Sequence, residues 1–140
     1  MSATGLEVFD KTLQTTNSWL NEIGETVGPD KQNSYHALRA VLFALRDRLP
    51  PEESAHLASQ LPTLVRGIYY DGYEPAGKPE KIRSESEFLE KVSEHLKSSD
   101  PIDPDRATRA VFKLLDTHIS DGEMGDVKQS LPEELKGYFH

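Results

Sequence analysis

Residues 37–73 read ALRAVLFALRDRLPPEESAHLASQLPTLVRGIYYDGY. Tyr35, Leu38, Val41, Leu42, Leu45 and Leu49 recur at three- and four-residue steps, which lines one side of an α-helix with apolar groups. Arg39, Arg46 and Asp47 fall largely off that stripe. Pro50-Pro51 opens a second helix, because a first turn has no NH partner for proline to lose. Glu52 and Glu53 then meet the positive end of its dipole. Leu57, Leu61, Leu64 and Ile68 extend an apolar stripe, but Pro62 disfavours helical geometry at Leu61. Two short helices meeting near Gln60–Leu61 are therefore expected, not one long one.

The pattern returns after seventy residues. Residues 107–140 align without a gap on residues 37–70. Identities fall at Ala37/Ala107, Arg39/Arg109, Ala40/Ala110, Val41/Val111, Leu45/Leu115, Glu53/Glu123, Leu61/Leu131, Pro62/Pro132 and Gly67/Gly137. Leu49/Ile119, Leu57/Val127 and Tyr69/Phe139 are close pairs. Upstream, Trp19-Leu20, Ile23 and Val27 match Phe88-Leu89, Val92 and Leu96, with one residue inserted between the two aligned segments. A fixed interval points to a doubled supersecondary unit. Two copies suit one compact pseudo-symmetric domain better than an open solenoid. The expected fold is all-α, a tandem pseudo-symmetric repeat of two helical units with about seven or eight helices, some short. One domain then spans 1–140, with a first unit at about 5–73, a linker at about 74–83 and a second unit at about 84–140.

Leu38-Arg39-Ala40-Val41-Leu42, Leu45-Arg46-Asp47-Arg48-Leu49, Gln60-Leu61-Pro62, Arg66-Gly67 and Tyr69-Tyr70-Asp71-Gly72 together carry a resemblance. Over nearly the whole chain the sequence resembles the DUF2267 family, a group of mostly bacterial helical proteins of unassigned function. Tyr73 departs from the family pattern, which favours tryptophan there. The resemblance implies a helical fold and a cytoplasmic bacterial setting, and it implies no reaction.

The bulk properties agree with one ordinary domain. The chain has 140 residues, 36% hydrophobic and 29% charged, enough to bury a real core. The absence of cysteine excludes a disulfide framework, a thiol nucleophile and the usual zinc-finger patterns. No apolar run approaches the roughly 20 residues a bilayer requires, and the first residues lack the basic-then-apolar pattern of a signal peptide. The expected place is the cytoplasm, with no membrane partner. A net charge of −8 argues against nucleic acid, since phosphate contacts need clustered lysine and arginine. Residues 84–140 hold thirteen acidic and seven basic side chains, so the second unit is the acidic lobe.

Along the chain, residues 5–27 form a first helix, with Leu6, Leu13, Leu20 and Val27 seven apart and Phe9, Thr16 and Ile23 likewise. Gly28-Pro29-Asp30 ends it, and the next helix runs to about Leu49. Asp71 to Arg83 holds two glycines, two prolines and no periodicity. Ser84-x-x-Glu87 and Ser120-x-x-Glu123 read as capping boxes, and residues 100–105 as a turn with an N-cap. The chain closes in a short helix from Pro132 to about Phe139.

The two copies also serve as a control on each other. Phe43 stands where the second copy has Lys113, so it is either an exposed aromatic at an interface or a core residue packed differently in the two copies. Arg46, with Arg66 and Tyr70, suits either an anion-binding or docking patch or a set of ion pairs at helix ends. Tyr70 aligns with His140 and Tyr73 has no counterpart, which makes both candidates for a recognition surface or for pins on the linker. Glu53-x-x-His56 is the one enzyme-like signature, since that spacing sets a carboxylate and an imidazole on one helix face toward a metal. The second copy offers Glu123-x-x-Asp126 without a histidine, and both glutamates sit in first turns, where carboxylates belong anyway. His36, His95, His118 and His140 show no ligand spacing, and no nucleotide or nucleophile motif occurs.

Two readings of function survive. One is a non-catalytic helical binding module, self-associating or with an unidentified protein or small-molecule partner, using Phe43, Arg46, Arg66, Tyr70 and Tyr73. It calls for no cofactor. The other is a small-ligand or metal-handling bundle using Glu53, His56 and the acidic second unit.

Overall fold

The structure, a computed structural model, describes residues 3–96 and 101–139. Among them the chain forms α1 (Glu7–Val27), α2 (Lys31–Arg48), α3 (Pro51–Ser59), α4 (Thr63–Tyr70), α5 (Glu85–His95), α6 (Pro104–His118) and α7 (Asp121–Gln129), then a terminal 3₁₀ helix (Glu133–Tyr138). No strand occurs among the described residues, so the all-α expectation holds. Asp100 of the expected turn and His140 of the aligned pair lie outside them.

The helix boundaries follow local chemistry. Gly28 ends α1 at φ 116°, a left-handed backbone that glycine adopts without a Cβ penalty. Asp30 caps α2 by accepting from the Gln32 NH at 2.9 Å. Pro51 opens α3, and Pro62 separates it from α4. Ser84 and Asp103 accept first-turn NH groups of α5 and α6. The short helix expected at the end is present, and it winds more tightly than an α-helix. Its six residues include Gly137, a poor helix former, and so short a segment gains little from α-type bonds.

α2 is the centre. It packs against α1, α3, α4, α5 and α6, whereas α6 packs against α1, α2, α5, α7 and the 3₁₀ helix. One continuous core joins Leu38, Val41, Leu42 and Leu45 to Phe88, Val111, Phe112 and Leu115. The sequence reading gave α2 a single apolar side. In fact Ala40, Phe43, Ala44, Arg46 and Asp47 are buried as well, because neighbours surround the helix.

α1 is covered over half its length only. Thr16, Trp19, Leu20 and Ile23 are buried, while Leu6, Val8, Phe9 and Leu13, on the first turns, are exposed. α5 has 11 residues against 21 in α1. No helix among the described residues is long and apolar enough to cross a membrane.

Leu38 is fully buried at the centre of this packing. Leu38→Ala is expected to lower unfolding stability by about 2–5 kcal/mol, measured by urea denaturation.

Candidate functional site

Glu53 and His56 are one turn apart on α3, and α7 lies against that helix. Glu123, in the first turn of α7, faces them. One ligand atom from each of Glu53, His56 and Glu123 lies within 4.8 Å of the other two. Glu123 is 8% exposed, Glu53 is half-buried and His56 is exposed.

The local cause is a capping box that forms only in part. The Glu123 NH donates to Ser120 Oγ at 3.3 Å, as expected. The return bond, from the Ser120 NH to the Glu123 carboxylate, does not form. Gln60 has taken that place: its Oε1 accepts from the Ser120 NH at 2.9 Å, and its Nε2 donates to Ser120 Oγ at 3.0 Å. The Glu123 carboxylate is left free to turn toward α3. Its Oε2 and the Oε2 of Glu53 are both buried without a hydrogen-bond partner. A buried carboxylate oxygen in that state is costly. Burial pushes the Glu123 carboxyl up to about 8, with the Glu53 carboxyl beside it and then Asp126 acting the same way.

The residues read as a binding surface have other surroundings. Phe43 is 4% exposed, so the core reading fits it and the exposed one does not. The Arg39 and Arg46 guanidinium carbons stand 4.4 and 4.0 Å from its ring centroid, and His95 meets the ring edge-on at 5.3 Å. Burial holds His95 below the usual histidine range. Arg46 is buried too. It donates to the Tyr69 and Asp71 carbonyls, both at 2.7 Å, and pairs with Asp47 at 3.1 Å. Arg66 donates to the carbonyls of Ala58, Ser59 and Leu61 at the end of α3. Tyr73 is half-buried with its hydroxyl unpartnered, and burial raises that hydroxyl above the usual tyrosine range. Tyr70 is exposed, between Tyr69 and Tyr73. The fold thus gathers Phe43, Arg46 and Tyr73 around the end of α2 and leaves Arg66 apart on α4, turned to the end of α3. Arg48 and the Asp47 carbonyl hold the linker there, through the Ile82 carbonyl and the Glu80 NH, each at 2.7 Å.

The family model described as an uncharacterized conserved protein, DUF2267, matches residues 16–138. The chain belongs to the DUF2267 family. No curated protein matches it. The DUF2267 match supplies no site, so Glu53, His56 and Glu123 rest on their geometry alone. The sequence reading had named Glu53-x-x-His56 and set Glu123 beside Asp126, but it had no means of bringing α7 onto α3. Asp126, exposed on α7, is not in the three-residue cluster. In this DUF2267 chain an open groove of about 420 Å³ also lies at the corner of α1 and α2, lined in part by Gly24, Gly28, Pro29 and Lys31.

Two outcomes are expected. Arg46→Ala leaves Asp47 and two carbonyls without their donor and is expected to cost on the order of 3–5 kcal/mol, read from chemical denaturation. The second concerns pH. Between pH about 4.5 and 8 the unfolded chain gives up the Glu123 proton while the folded chain keeps it. Stability contributed by this group therefore falls as pH rises through that window and levels off above it. In chelator-containing buffer, Glu123→Gln is expected to flatten this fall and to be more stable than the parent at pH 8, measured by denaturation across pH.

Proposed function

We propose that the protein is a non-catalytic, cytoplasmic helical module that docks through the amino-terminal half of α1, and that its partner is a second copy of the chain. The exposed first turns of α1 carry this reading. Leu6, Phe9 and Leu13 continue the spacing of the buried Leu20 and Ile23 and the half-buried Val27, yet the body of the protein ends before it reaches them. Leu64, also exposed, adjoins this stretch, because its NH donates to Thr12 Oγ1 at 3.0 Å. Several large apolar side chains left together on a regular helix suit association, and an identical patch on each copy can cover itself about a two-fold axis.

The seventy-residue interval in the sequence supports the same frame. α3 and α7 occupy 51–59 and 121–129, the interval seen in the sequence. A second reading, metal handling, is favoured by the two unpartnered carboxylate oxygens between those helices.

The docking reading is tested by sedimentation over the micromolar range. The parent chain is expected to associate with rising concentration. Phe9→Glu combined with Leu13→Glu is expected to weaken that at least ~10-fold while changing stability by no more than about 0.5 kcal/mol per site. A parent chain that stays monomeric, or a double variant that associates equally, would rule the reading out.

A further inference from the structure

We propose that Glu53, His56 and Glu123 together hold one divalent transition-metal ion at the junction of α3 and α7. The site rests on the metal-handling reading and gives it residues, an ion class and a structural role.

Three observations converge. The donor atoms lie within 4.8 Å of one another, and donors around an ion with bonds of about 2.0–2.2 Å stand roughly 3–3.5 Å apart. Closing that gap takes a swing of about an ångström or a little more, and the exposed His56 is free to make it. Next, Glu123 is more than nine-tenths buried with Oε2 unpartnered, and Glu53 presents a second unpartnered oxygen. Finally, the donors come from both sides of the junction, two on α3 and one on α7, so an ion seated there is held from two elements.

The surroundings are built to keep the donors in place. Gln60 fastens the end of α3 to the start of α7 through two bonds to Ser120. Glu53 and His56 share a face of α3 at a spacing of one turn. By displacing Glu123 from its capping role, Gln60 also frees the third donor.

The donor set selects the ion. An imidazole suits zinc, iron and nickel, while two carboxylates extend the range to manganese. Three protein donors leave at least one position for water. Glu53 and His56 belong to the first half of the chain and Glu123 to the second, so the ion acts as a clasp between them.

The test uses the full chain, stripped with EDTA and titrated calorimetrically with zinc chloride and with manganese chloride. One equivalent of ion per chain is expected, with a raised melting temperature. His56→Ala and Glu123→Gln are each expected to weaken binding at least ~10-fold and to lose the thermal gain. His56 is exposed, so its variant keeps the parent circular dichroism spectrum and tests the site even where Glu123→Gln shifts stability on its own. Stoichiometric binding that survives both substitutions would leave metal handling standing and overturn this site. A parent chain that takes up neither ion at millimolar concentration would overturn both.

Discussion

Everything in this molecule is arranged around a helix that has water on almost none of its sides. α2 is enclosed by α1, α3, α4, α5 and α6, and eleven of its residues are buried. Enclosure on that scale brings charge inside along with the leucines. Arg46 and Asp47 are carried in because they sit on the same last turns as Leu45 and Leu49, and the fold must then find partners for them. It does so with the ends of neighbouring elements. The α4 carbonyls at Tyr69 and its cap Asp71 receive the guanidinium, and the linker backbone closes on Asp47 and Arg48. These contacts satisfy the buried charge and fix where α4 stops and where the linker crosses.

The α3–α7 junction is the opposite case. At the end of α2 the buried charges of Arg46 and Asp47 are paired, although the Tyr73 hydroxyl beside them is not; between α3 and α7 two carboxylate oxygens lack partners. The contrast comes from one side chain. Gln60 satisfies the Ser120 backbone so completely that Glu123 has no local work to do. A residue that local sequence makes a cap becomes, through one long-range bond pair, a residue facing across the fold. The proposed metal site and the proposed docking stripe draw on different elements, one on α3 and α7 and the other on the first turns of α1.

Much of the helical layout was legible because short-range chemistry sets it. Pro50-Pro51 and Pro62 mark α3 and α4, and Ser84, Asp103 and Ser120 mark the starts of the later helices. What depended on tertiary neighbours was not legible. The alignment of Phe43 with Lys113 could not decide between an interface and the core, whereas two arginines and a histidine cover the ring. Arg46 and Asp47 fall off the apolar stripe, and their burial was not legible because periodicity counts apolar residues and cannot see that a helix is surrounded. The spacing in α1 predicted packing along its whole length, yet the body is long enough to meet only its second half. Glu53 and His56 could be named from spacing. Their meeting with Glu123 needed the α3–α7 contact, and no local pattern encodes that.

The linker has a consequence of its own. Its two ends are tied down, by the Arg46 bond to Asp71 and by the Glu80 and Ile82 bonds to α2, while Pro75, Ala76 and Gly77 between them form an exposed turn. A segment anchored on both flanks and exposed at its tip tolerates added length at small entropic cost. A fluorescent reporter or an epitope spliced in at Ala76 would therefore ride on the outside of the molecule, with both flanks still seated.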